Sequence, residues 1–407
     1  MNSSLFRAWR SRPFALLWSG QTLSLLGDRI FHVALAWWVL EETGSAAAMG
    51  MVLLLTIAPM LLFLLLGGVL VDRFPRLGLM LFSDWVRGLV LGGMAALAFA
   101  GWLTIGHVYA FSLISGFVEA FFQPAYRAAV PDVTPETDLP SANALTGLSG
   151  QLAGIAGPAI GALVVTLGGT ATAFALDGLS FLLSGVCLLF ILKEIPASRP
   201  QRAEVTQPIF SEARAGLEMV FASPWLWVTI VVAGLSNIAY SGPMDVTLPF
   251  LLKEHRQAGV GALGLFYTLS SVGSVLAAIW WGQKAKLRRR GLTLYGAWML
   301  IGVMVMVIGL PVPIFVILLV AIVIGACNTT LSLMWVNMLQ EYVPSQFMGR
   351  VTSVDYLGSY LLLPVGYVLG GWAAEEFGAP VVFIVGGALQ TLLVASGLLH
   401  PKIRALD

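Results

Sequence analysis

Four polar side chains recur every three or four residues near the start of the chain, in the order Gln21, Ser24, Asp28 and His32. Residues at that spacing share one face of an α-helix, so they would form a polar stripe facing a water-filled cavity. The Asp28 carboxyl could carry a proton, with His32 one turn further along as its partner. Burial would favour the neutral form of Asp28, and the neighbouring Arg29 its charged form. The alternatives are a neutralising pair of Asp28 with Arg29, and a His32 that only forms hydrogen bonds.

Three further acidic residues lie inside apolar stretches, where a charge costs about 2.5 to 3.5 kcal/mol on insertion scales. Glu119 could receive Arg73 or Arg76 as an ion-pair partner, or it could transfer protons. Asp177 could anchor its own helix or take part in proton transfer. Asp245 follows four polar residues, and this run gives its helix a face that could line a cavity. Asp28 is the first candidate for proton coupling, and the further cavity candidates are Gln21, His32, Glu119, Asp177 and Asp245.

The composition indicates what kind of structure must hold these side chains. Of the 407 residues, 58% are hydrophobic and 11% are charged, and the mean hydropathy is +0.87. Soluble domains carry roughly 25% charged residues. Apolar runs of about 20 residues, long enough to cross a bilayer as a helix, recur along the whole chain. We therefore predict an all-α integral membrane protein with twelve transmembrane helices in two six-helix bundles.

The predicted spans lie between charged or turn-rich breaks, at residues 14–40, 46–71, 79–101, 105–126, 145–167, 171–192, 225–250, 260–283, 292–310, 312–338, 352–373 and 378–399. An even number of spans puts both termini on one side of the membrane. Assigning that side to the cytoplasm places 18 of the 22 Lys and Arg residues there and leaves Lys253 and Arg256 opposite. The positive-inside rule therefore predicts a cell-membrane protein with both termini in the cytoplasm.

Several classes of function are excluded by the same inspection. The formal net charge is +1 and no sustained basic, aromatic-rich soluble stretch occurs, so we expect no nucleic-acid partner. Cys187 and Cys327 fall in apolar segments and are expected to be packing residues. No metal motif, nucleotide loop or nucleophile elbow is found. We therefore expect no enzymatic activity, metal or cofactor. Without a nucleotide loop, the energy for moving a solute across the membrane would have to come from an ion or substrate gradient.

The longest polar break, at residues 193–223, predicts a cytoplasmic loop between two bundles at 1–192 and 224–407. An internal repeat at offsets of 211 to 214 residues supports a duplication, since Pro13 is echoed by Pro224 and Pro131 by Pro344. Two similar bundles can rock about a site at their interface and expose it to either side in turn.

A charged turn between the second and third spans reads Gly68-Val69-Leu70-Val71-Asp72-Arg73-Phe74-Pro75-Arg76. Asp72 could accept hydrogen bonds from Arg76 or from amides at a neighbouring helix N-terminus, where the helix dipole favours a carboxylate. Such a latch would hold the cytoplasmic side closed and break when that side opens. The alternative is a basic loop that only sets topology. Further residues assigned to this gate are Asp84 and Arg87, expected to pair with each other or with the turn, and Arg350 with Asp355.

A series of glycines in the fifth span falls on one helix face: Gly147, Gly150, Gly154, Gly157 and Gly161, with Pro158 beside the fourth. Because glycine has no side chain, a neighbouring helix can approach such a face to backbone contact. Packing of this kind supplies association energy within lipid. The glycines therefore predict a helix-packing motif, with generic tight packing as the alternative to a more specific role.

The charged turn resembles the signature loop between helices 2 and 3 of the major facilitator superfamily. The glycine series resembles the helix 5 motif of its exporting, antiporting members. The resemblance narrows to the macrolide-efflux and enterobactin-exporter group through these stretches: Phe14-Ala15-Leu16-Leu17-Trp18-Ser19-Gly20-Gln21, Phe122-Gln123-Pro124-Ala125, Ala142-Asn143-Ala144-Leu145 and Leu176-Asp177-Gly178-Leu179-Ser180-Phe181. It implies the two-bundle fold, a contact of Asp72 with residues 349–351 at the start of helix 11, and secondary export of amphipathic compounds.

We therefore expect a monomeric secondary transporter in the lipid bilayer, which exchanges protons for small molecules such as drugs, macrolides or siderophores by alternating access. Two alternatives stay open. An importing or equilibrating facilitator for a metabolite would have a similar fold. A non-transporting membrane scaffold or lipid-handling protein would tolerate the loss of both Asp28 and Asp72.

Overall fold

The computed structural model describes residues 6–194, 209–284 and 289–406, with side chains described except at 64–73, 209–213 and 255. This part of the chain is helical and contains no strand. The α-helices are α1 Arg12–Thr43, α2 Ala46–Arg73, α3 Arg76–Phe99, α4 Ile105–Asp132, α5 Leu139–Glu194, α6 Ile209–Ala222, α7 Pro224–Ser241, α8 Leu248–Phe250, α9 Val260–Gly282, α10 Arg290–Gly309, α11 Ile314–Tyr342, α12 Met348–Tyr360, α13 Leu363–Phe377, α14 Ala379–Gly397 and α15 Pro401–Arg404. Short 3-10 helices lie at Ala8–Arg10, Glu136–Asp138 and Ser345–Phe347.

Eleven helical segments in the described part of the chain are long and apolar enough to cross a membrane. This confirms the predicted all-α membrane class. The ends agree with the sequence prediction to within a few residues for most spans; the predicted 260–283, for instance, is observed as Val260–Gly282. Agreement is close because a continuous apolar run of about 20 residues is itself the property that makes a segment span lipid.

One segment joins two predicted spans. Helix α5 runs for 56 residues and bends at Gly169, where φ is 76°. That left-handed conformation strains any residue with a Cβ but suits glycine. The predicted spans 145–167 and 171–192 meet at this bend, so the described chain has eleven such segments, one of them bent, where the sequence predicted twelve.

The segment predicted as a cytoplasmic central loop, residues 193–223, is helical in part, and its place between two bundles stays a prediction. Helix α6 occupies its second half, at Ile209–Ala222. Val220 on this helix is 3% exposed and packs in a cluster with Leu226, Leu339 and Val351. The polar composition of the segment marked a break between spans, and it masked a short helix with one apolar face.

Helix α7 does not continue as regular α-helix through its predicted span. It gives way to a π-helical stretch at Gly242–Thr247, then to α8, and then to a second π-helical stretch at Leu251–His255. Wider turns of this kind interrupt α-helices frequently at functional sites. Asp245 lies in the first of them.

The chain divides into two compact units. The first unit comprises Met1–Thr43 and Leu55–Glu204, and the second comprises Gly44–Leu54 and Val205–Asp407. In the first unit α1 and α3 pack along α5. Its core includes Phe14, Leu17, Met80, Leu145 and Leu188, each fully or almost fully buried. The bundle boundaries predicted at residues 192 and 224 remain a prediction.

The second unit packs α10 against α14 and α9 against α11. Its core includes Tyr295, which is 1% exposed and shares a hydrogen bond of 2.9 Å with the Thr229 hydroxyl. The first turns of α2 belong to this unit. Their backbone and side chains meet Glu375 of α13, whose carboxylate accepts hydrogen bonds from the Ala47 N–H, at 3.1 Å, and from the Ser45 hydroxyl. A carboxylate at a helix N-terminus is favoured by the helix dipole.

Candidate functional site

A network of buried polar side chains lies inside the first unit, where α1, α3 and α5 meet. The Gln21 Nε2 donates hydrogen bonds to Ser184 Oγ at 2.8 Å and to Asp84 Oδ2 at 3.3 Å. The Ser184 hydroxyl in turn donates to Asp84 Oδ2 at 2.7 Å. Asp84 has no solvent exposure, and its other oxygen, Oδ1, has no hydrogen-bond partner among the described residues. A fully buried carboxyl is thus held by two donors on one oxygen only.

Arg87, one turn along α3 from Asp84, is 6% exposed and forms an ion pair with Glu119 of α4. Its guanidinium carbon lies 4.9 Å from the Phe122 ring centre and 5.1 Å from that of Phe181. Aromatic faces attract cations, more strongly when both are desolvated. The observed partner therefore differs from the predicted pairing of Arg87 with Asp84 or with the charged turn, because the long side chain reaches across to the neighbouring helix.

For Glu119 the sequence left open an ion pair with Arg73 or Arg76 and a role in proton transfer. The structure shows an ion pair with Arg87. The Arg73 side chain lies outside the described residues. The second carboxylate oxygen of Glu119 accepts a hydrogen bond of 2.9 Å from the Gln123 side chain. Arg76 is engaged elsewhere, with Asp132 at 2.8 Å. It also donates to the Ala128 carbonyl at 3.1 Å.

Asp177, on the C-terminal half of α5, has no solvent exposure. One of its oxygens accepts a hydrogen bond of 3.3 Å from the Ser180 hydroxyl, and the other has no partner among the described residues. Helix α1 passes directly over it at Gly27, where a Cβ would collide with both the Asp177 carboxylate and the Ser180 hydroxyl. Gly27 thus allows α1 to bring Asp28 beside this second buried acid.

Asp28 lines a cavity of about 220 Å³ in the first unit, together with Gln21, Ser24 and Arg87. It is half-buried, whereas Asp84 and Asp177 are fully enclosed. Arg87 lies within electrostatic range of Asp28, Asp84 and Asp177. The structure therefore brings together Gln21, Asp28, Asp84, Arg87, Glu119 and Asp177, of which Asp84 and Arg87 were predicted at the gate rather than here. His32 is not among the residues that line this cavity.

Three participants were missed by the sequence analysis: Ser184 as a donor, and Phe122 and Phe181 as the rings beside Arg87. The role of Ser184 could have been predicted from the sequence. Ser180 and Ser184 follow Asp177 at intervals of three and four residues, the same spacing that singled out Gln21 and Asp28. The two aromatic contacts carry no such signal, since phenylalanine is common throughout apolar spans.

Two of the five glycines in the series pack directly beside this network. A Cβ on Gly157 would collide with the Arg29 side chain, and one on Gly161 would lie 3.0 Å from the Ile30 Cα. Pro158 between them is buried. Gly147 and Gly150 lie earlier on the same helix as Gly154. Among the described residues, no heavy atom of a neighbouring element lies within 4 Å of the position that a Cβ would take on either of them. Close packing of α5 on α1 is therefore concentrated next to Asp28.

The second unit holds a separate polar cluster around Asp245. Three tyrosines lie within electrostatic range of this carboxylate: Tyr240, Tyr267 and Tyr367. The polar face predicted for the seventh span thus faces two different surroundings. Tyr240 on α7 lines a cavity of this unit, whereas Asp245 in the π-helical stretch lies among tyrosines.

Asp355 also lines that cavity of the second unit. Its carboxylate accepts hydrogen bonds from Trp335 Nε1 at 2.8 Å and from the Ser359 hydroxyl at 3.3 Å. Arg350, predicted beside it at the gate, lies with its guanidinium carbon 5.8 Å from the Phe347 ring centre. The contacts of Gly68 and the side chains of Asp72 and Arg73 lie outside what the structure describes, so the latch stays a prediction.

Comparison with known proteins places this geometry in a family. The sequence profile of the Major Facilitator Superfamily matches residues 17–362 and, in a second alignment, 244–402. The chain is 26% identical over 402 residues to the multidrug efflux pump Tap of Mycolicibacterium fortuitum, covering 97% of each. It is 22% identical over 408 residues to macrolide efflux protein A of Streptococcus pyogenes, covering 99% of each. It is 26% identical to the enterobactin exporter EntS of Shigella boydii, covering 94% of this chain and 92% of that protein.

Solved structures agree on the fold. A bacterial homologue of the iron transporter ferroportin, in an inward-facing state, superposes with a TM-score of 0.76 at 15% identity. The match covers 97% of this chain and 99% of the other. Identity this low speaks to architecture alone. The family profile confirms the superfamily that the charged turn resembled, and the three relatives above are similar proteins named for efflux or export.

Proposed function

The chain belongs to the Major Facilitator Superfamily, and on this premise we propose that it exports amphipathic small molecules across the cell membrane in exchange for protons. As a member of that family it is a multi-pass membrane transporter of small molecules and not an enzyme. The proposal adds the direction, the coupling ion and the substrate class. Direction and substrate class are suggested by relatives named for the efflux of several drugs, of macrolides and of enterobactin.

The observation that supports proton coupling is an excess of carboxyl groups around one buried cation. Four carboxyl groups surround the Arg87 guanidinium: those of Asp84 and Asp177 are fully buried, and those of Asp28 and Glu119 are partly exposed. Even with Arg29 counted beside Asp28, acids outnumber cations by two to one. Burying an unpaired carboxylate costs on the order of several kcal/mol, even after the surroundings relax. The network therefore favours holding at least one proton, and Arg87 pairs first with Glu119.

Access of water separates the roles of these acids. Asp28 is half-buried and lines the cavity, so it can exchange a proton with water there. Asp84 and Asp177 are fully enclosed, and each has one oxygen without a partner among the described residues, which suits a neutral carboxyl. Protonation of Asp28 would remove one negative charge from the surroundings of Arg87. This change in charge would act on α1, α3 and α5 together, because the charged groups lie on these three helices. Protonation could thereby be coupled to the helix movements that alternating access needs.

The topology belongs to the same proposal. The distribution of Lys and Arg in the loops supports an orientation with both termini in the cytoplasm. Export then means that substrate enters from the side of the termini and leaves opposite them. The protein is proposed to work as a monomer, because each unit has its own buried core within one chain.

The test uses purified protein in inverted vesicles with an imposed proton gradient and ethidium as the probe. We expect gradient-driven accumulation of ethidium by the wild type and its loss in Asp28→Asn. The matched control is Glu218→Gln, which removes an acid whose side chain is 65% exposed on α6. It should transport as the wild type does.

The outcomes separate the alternatives. Accumulation without a proton gradient, or unchanged coupling in Asp28→Asn, would overturn the assigned role of protons and Asp28. Accumulation of a substrate only when the gradient is reversed would indicate an importing facilitator. An absence of transport across a panel of dyes, macrolides and siderophores would refute the assigned substrate class.

A further inference from the structure

A second cavity, of about 210 Å³, lies wholly inside the second unit. Its walls come from α7, α10, α11, α12 and α14. Among the described residues that line it, Asp355 is the only carboxylic acid, and none is a Lys, Arg or His. The lining therefore carries a formal negative charge without a cation of its own.

Two hydrogen-bond acceptors line this cavity with capacity left unused. The Asp355 carboxylate accepts from Trp335 Nε1 and Ser359, while a carboxylate offers about four acceptor positions. Gln390 is 1% exposed, and its Oε1 has no hydrogen-bond partner among the described residues. Buried amide oxygens are normally paired, so this one calls for a donor. Asp355 and Gln390 lie on different helices and face the same cavity.

Aromatic side chains form much of the remaining wall. Trp298, Trp335 and Tyr240 all line the cavity. Indole and phenol faces attract cations, and tryptophan does so most strongly. A carboxylate, an unpaired amide oxygen and aromatic faces together suit a compact, positively charged group that donates several hydrogen bonds.

The first unit contains a natural comparison for this cavity. There the Arg87 guanidinium lies between Phe122 and Phe181 and pairs with a carboxylate. The position 211 residues after Arg87 is Trp298, at the same offset that relates Pro13 to Pro224. Each of these two residues lines the cavity of its own unit. The repeat thus places a built-in cation in one cavity and an aromatic ring at the matching position of the other.

We propose that the cavity of the second unit binds a small organic cation, with a guanidinium or ammonium group held by Asp355 and Gln390 among Trp298, Trp335 and Tyr240. The juxtaposition of the uncompensated Asp355 with the unpaired, buried Gln390 carries this assignment. This inference goes beyond the export function, because the cation can bind to the purified protein at equilibrium. Binding needs no ion gradient and does not depend on the direction of transport.

The test measures binding directly, by calorimetric titration of the purified full-length protein in detergent at constant ionic strength. The probe is methylguanidinium, and methylurea serves as its uncharged control of similar shape. A ligand with so few atoms should bind with a Kd on the order of millimolar. We expect saturable binding of methylguanidinium and none of methylurea.

Two variants separate this site from nonspecific attraction. Asp355→Asn keeps the shape and removes the charge, and it should weaken binding by about tenfold or more, the loss typical of a desolvated charge pair. Gln390→Leu removes the unpaired oxygen at similar volume and should weaken binding several-fold while the protein stays folded. Glu376→Gln is the matched control on α13, since its side chain is exposed and it does not line the cavity.

The results decide the proposal either way. Equal binding of methylguanidinium and methylurea, no saturable binding, or unchanged affinity in Gln390→Leu would overturn it. Should Asp355→Asn fail to fold, the affinity of Gln390→Leu decides the question alone. Because no transport is measured, a failure here leaves proton-coupled export standing, and a failure of export leaves this site standing.

Discussion

Replacement of Arg87 by Gln removes the cation at the centre of the buried network in the first unit. It leaves Glu119 without its ion-pair partner and leaves Phe122 and Phe181 without the guanidinium beside them. Removing one member of a buried ion pair costs about 3 to 5 kcal/mol. The Glu119 side chain is 26% exposed and can recover part of its hydration, so the lower end of that range applies. We expect Arg87→Gln to lower the free energy of unfolding by about 3 kcal/mol.

The chain supplies its own control for this prediction. Arg214 and Glu218 form an ion pair of 2.8 Å on α6, with side chains 81% and 65% exposed. Such exposed pairs one helical turn apart contribute about 0.3 to 0.5 kcal/mol. Arg214→Gln should therefore change the unfolding free energy several-fold less than Arg87→Gln, although the same chemical group is deleted.

A double-mutant cycle isolates the pair itself. Combined with Glu119→Gln, the loss of Arg87 no longer leaves an uncompensated carboxylate at that position, so the double variant should cost less than the sum of the single ones. Coupling energies between residues in one network are about 0.5 to 3 kcal/mol. The assay is unfolding in mixed micelles by SDS titration, followed by circular dichroism. A cost no greater than that of Arg214→Gln, or strictly additive effects, would refute the reasoning.

Three further predictions use other parts of the fold. Gly161→Leu should sharply lower the yield of folded protein, because α5 meets the backbone of α1 at Ile30 there. Gly150→Leu should be tolerated, because the space beside Gly150 is open. Fluorescence-detected size exclusion measures both yields. Gly169→Ala forces a Cβ into a backbone with φ of 76° and should lower the free energy of unfolding by about 1 to 2 kcal/mol, measured by the same SDS titration. An unchanged unfolding free energy would contradict this. Asp72→Asn should slow ethidium transport and leave SDS stability unchanged if the residue is a gate latch. Equal transport rates in vesicles would support the alternative of a loop that only sets topology.

Hydropathy predicted most of the fold because insertion into lipid is decided segment by segment. Each apolar run satisfies its own backbone hydrogen bonds as a helix, so its length and ends are visible locally. The exceptions are informative. Helix α6 escaped notice because its buried face, including Val220, is short and surrounded by charges. The π-helical stretch at Gly242–Thr247 has no pattern that hydropathy can register.

The candidate site was predicted in part. Helical spacing in α1 put Gln21 and Asp28 on one face, and both line the cavity of the first unit. The same spacing rule misjudged Arg87, since its neighbour Asp84 is visible in the sequence while Glu119 lies on another helix. Asp355, likewise grouped with the nearby Arg350, faces a cavity formed by helices distant in the chain.

The sequence by itself determined the membrane class, the approximate spans, the family and the faces on which polar residues fall. These properties depend on one helix at a time, through its length and its 3.6-residue period. The tertiary structure alone decided which faces meet. It paired Arg87 with Glu119 and enclosed Asp177 beneath Gly27. Among the described residues it also left Gln390 Oε1 without a hydrogen-bond partner, in a cavity that Asp355 also lines. The physical reason is that ion pairs and burial depend on how helices pack against each other, and small residues such as Gly27 and Gly161 set how closely they approach.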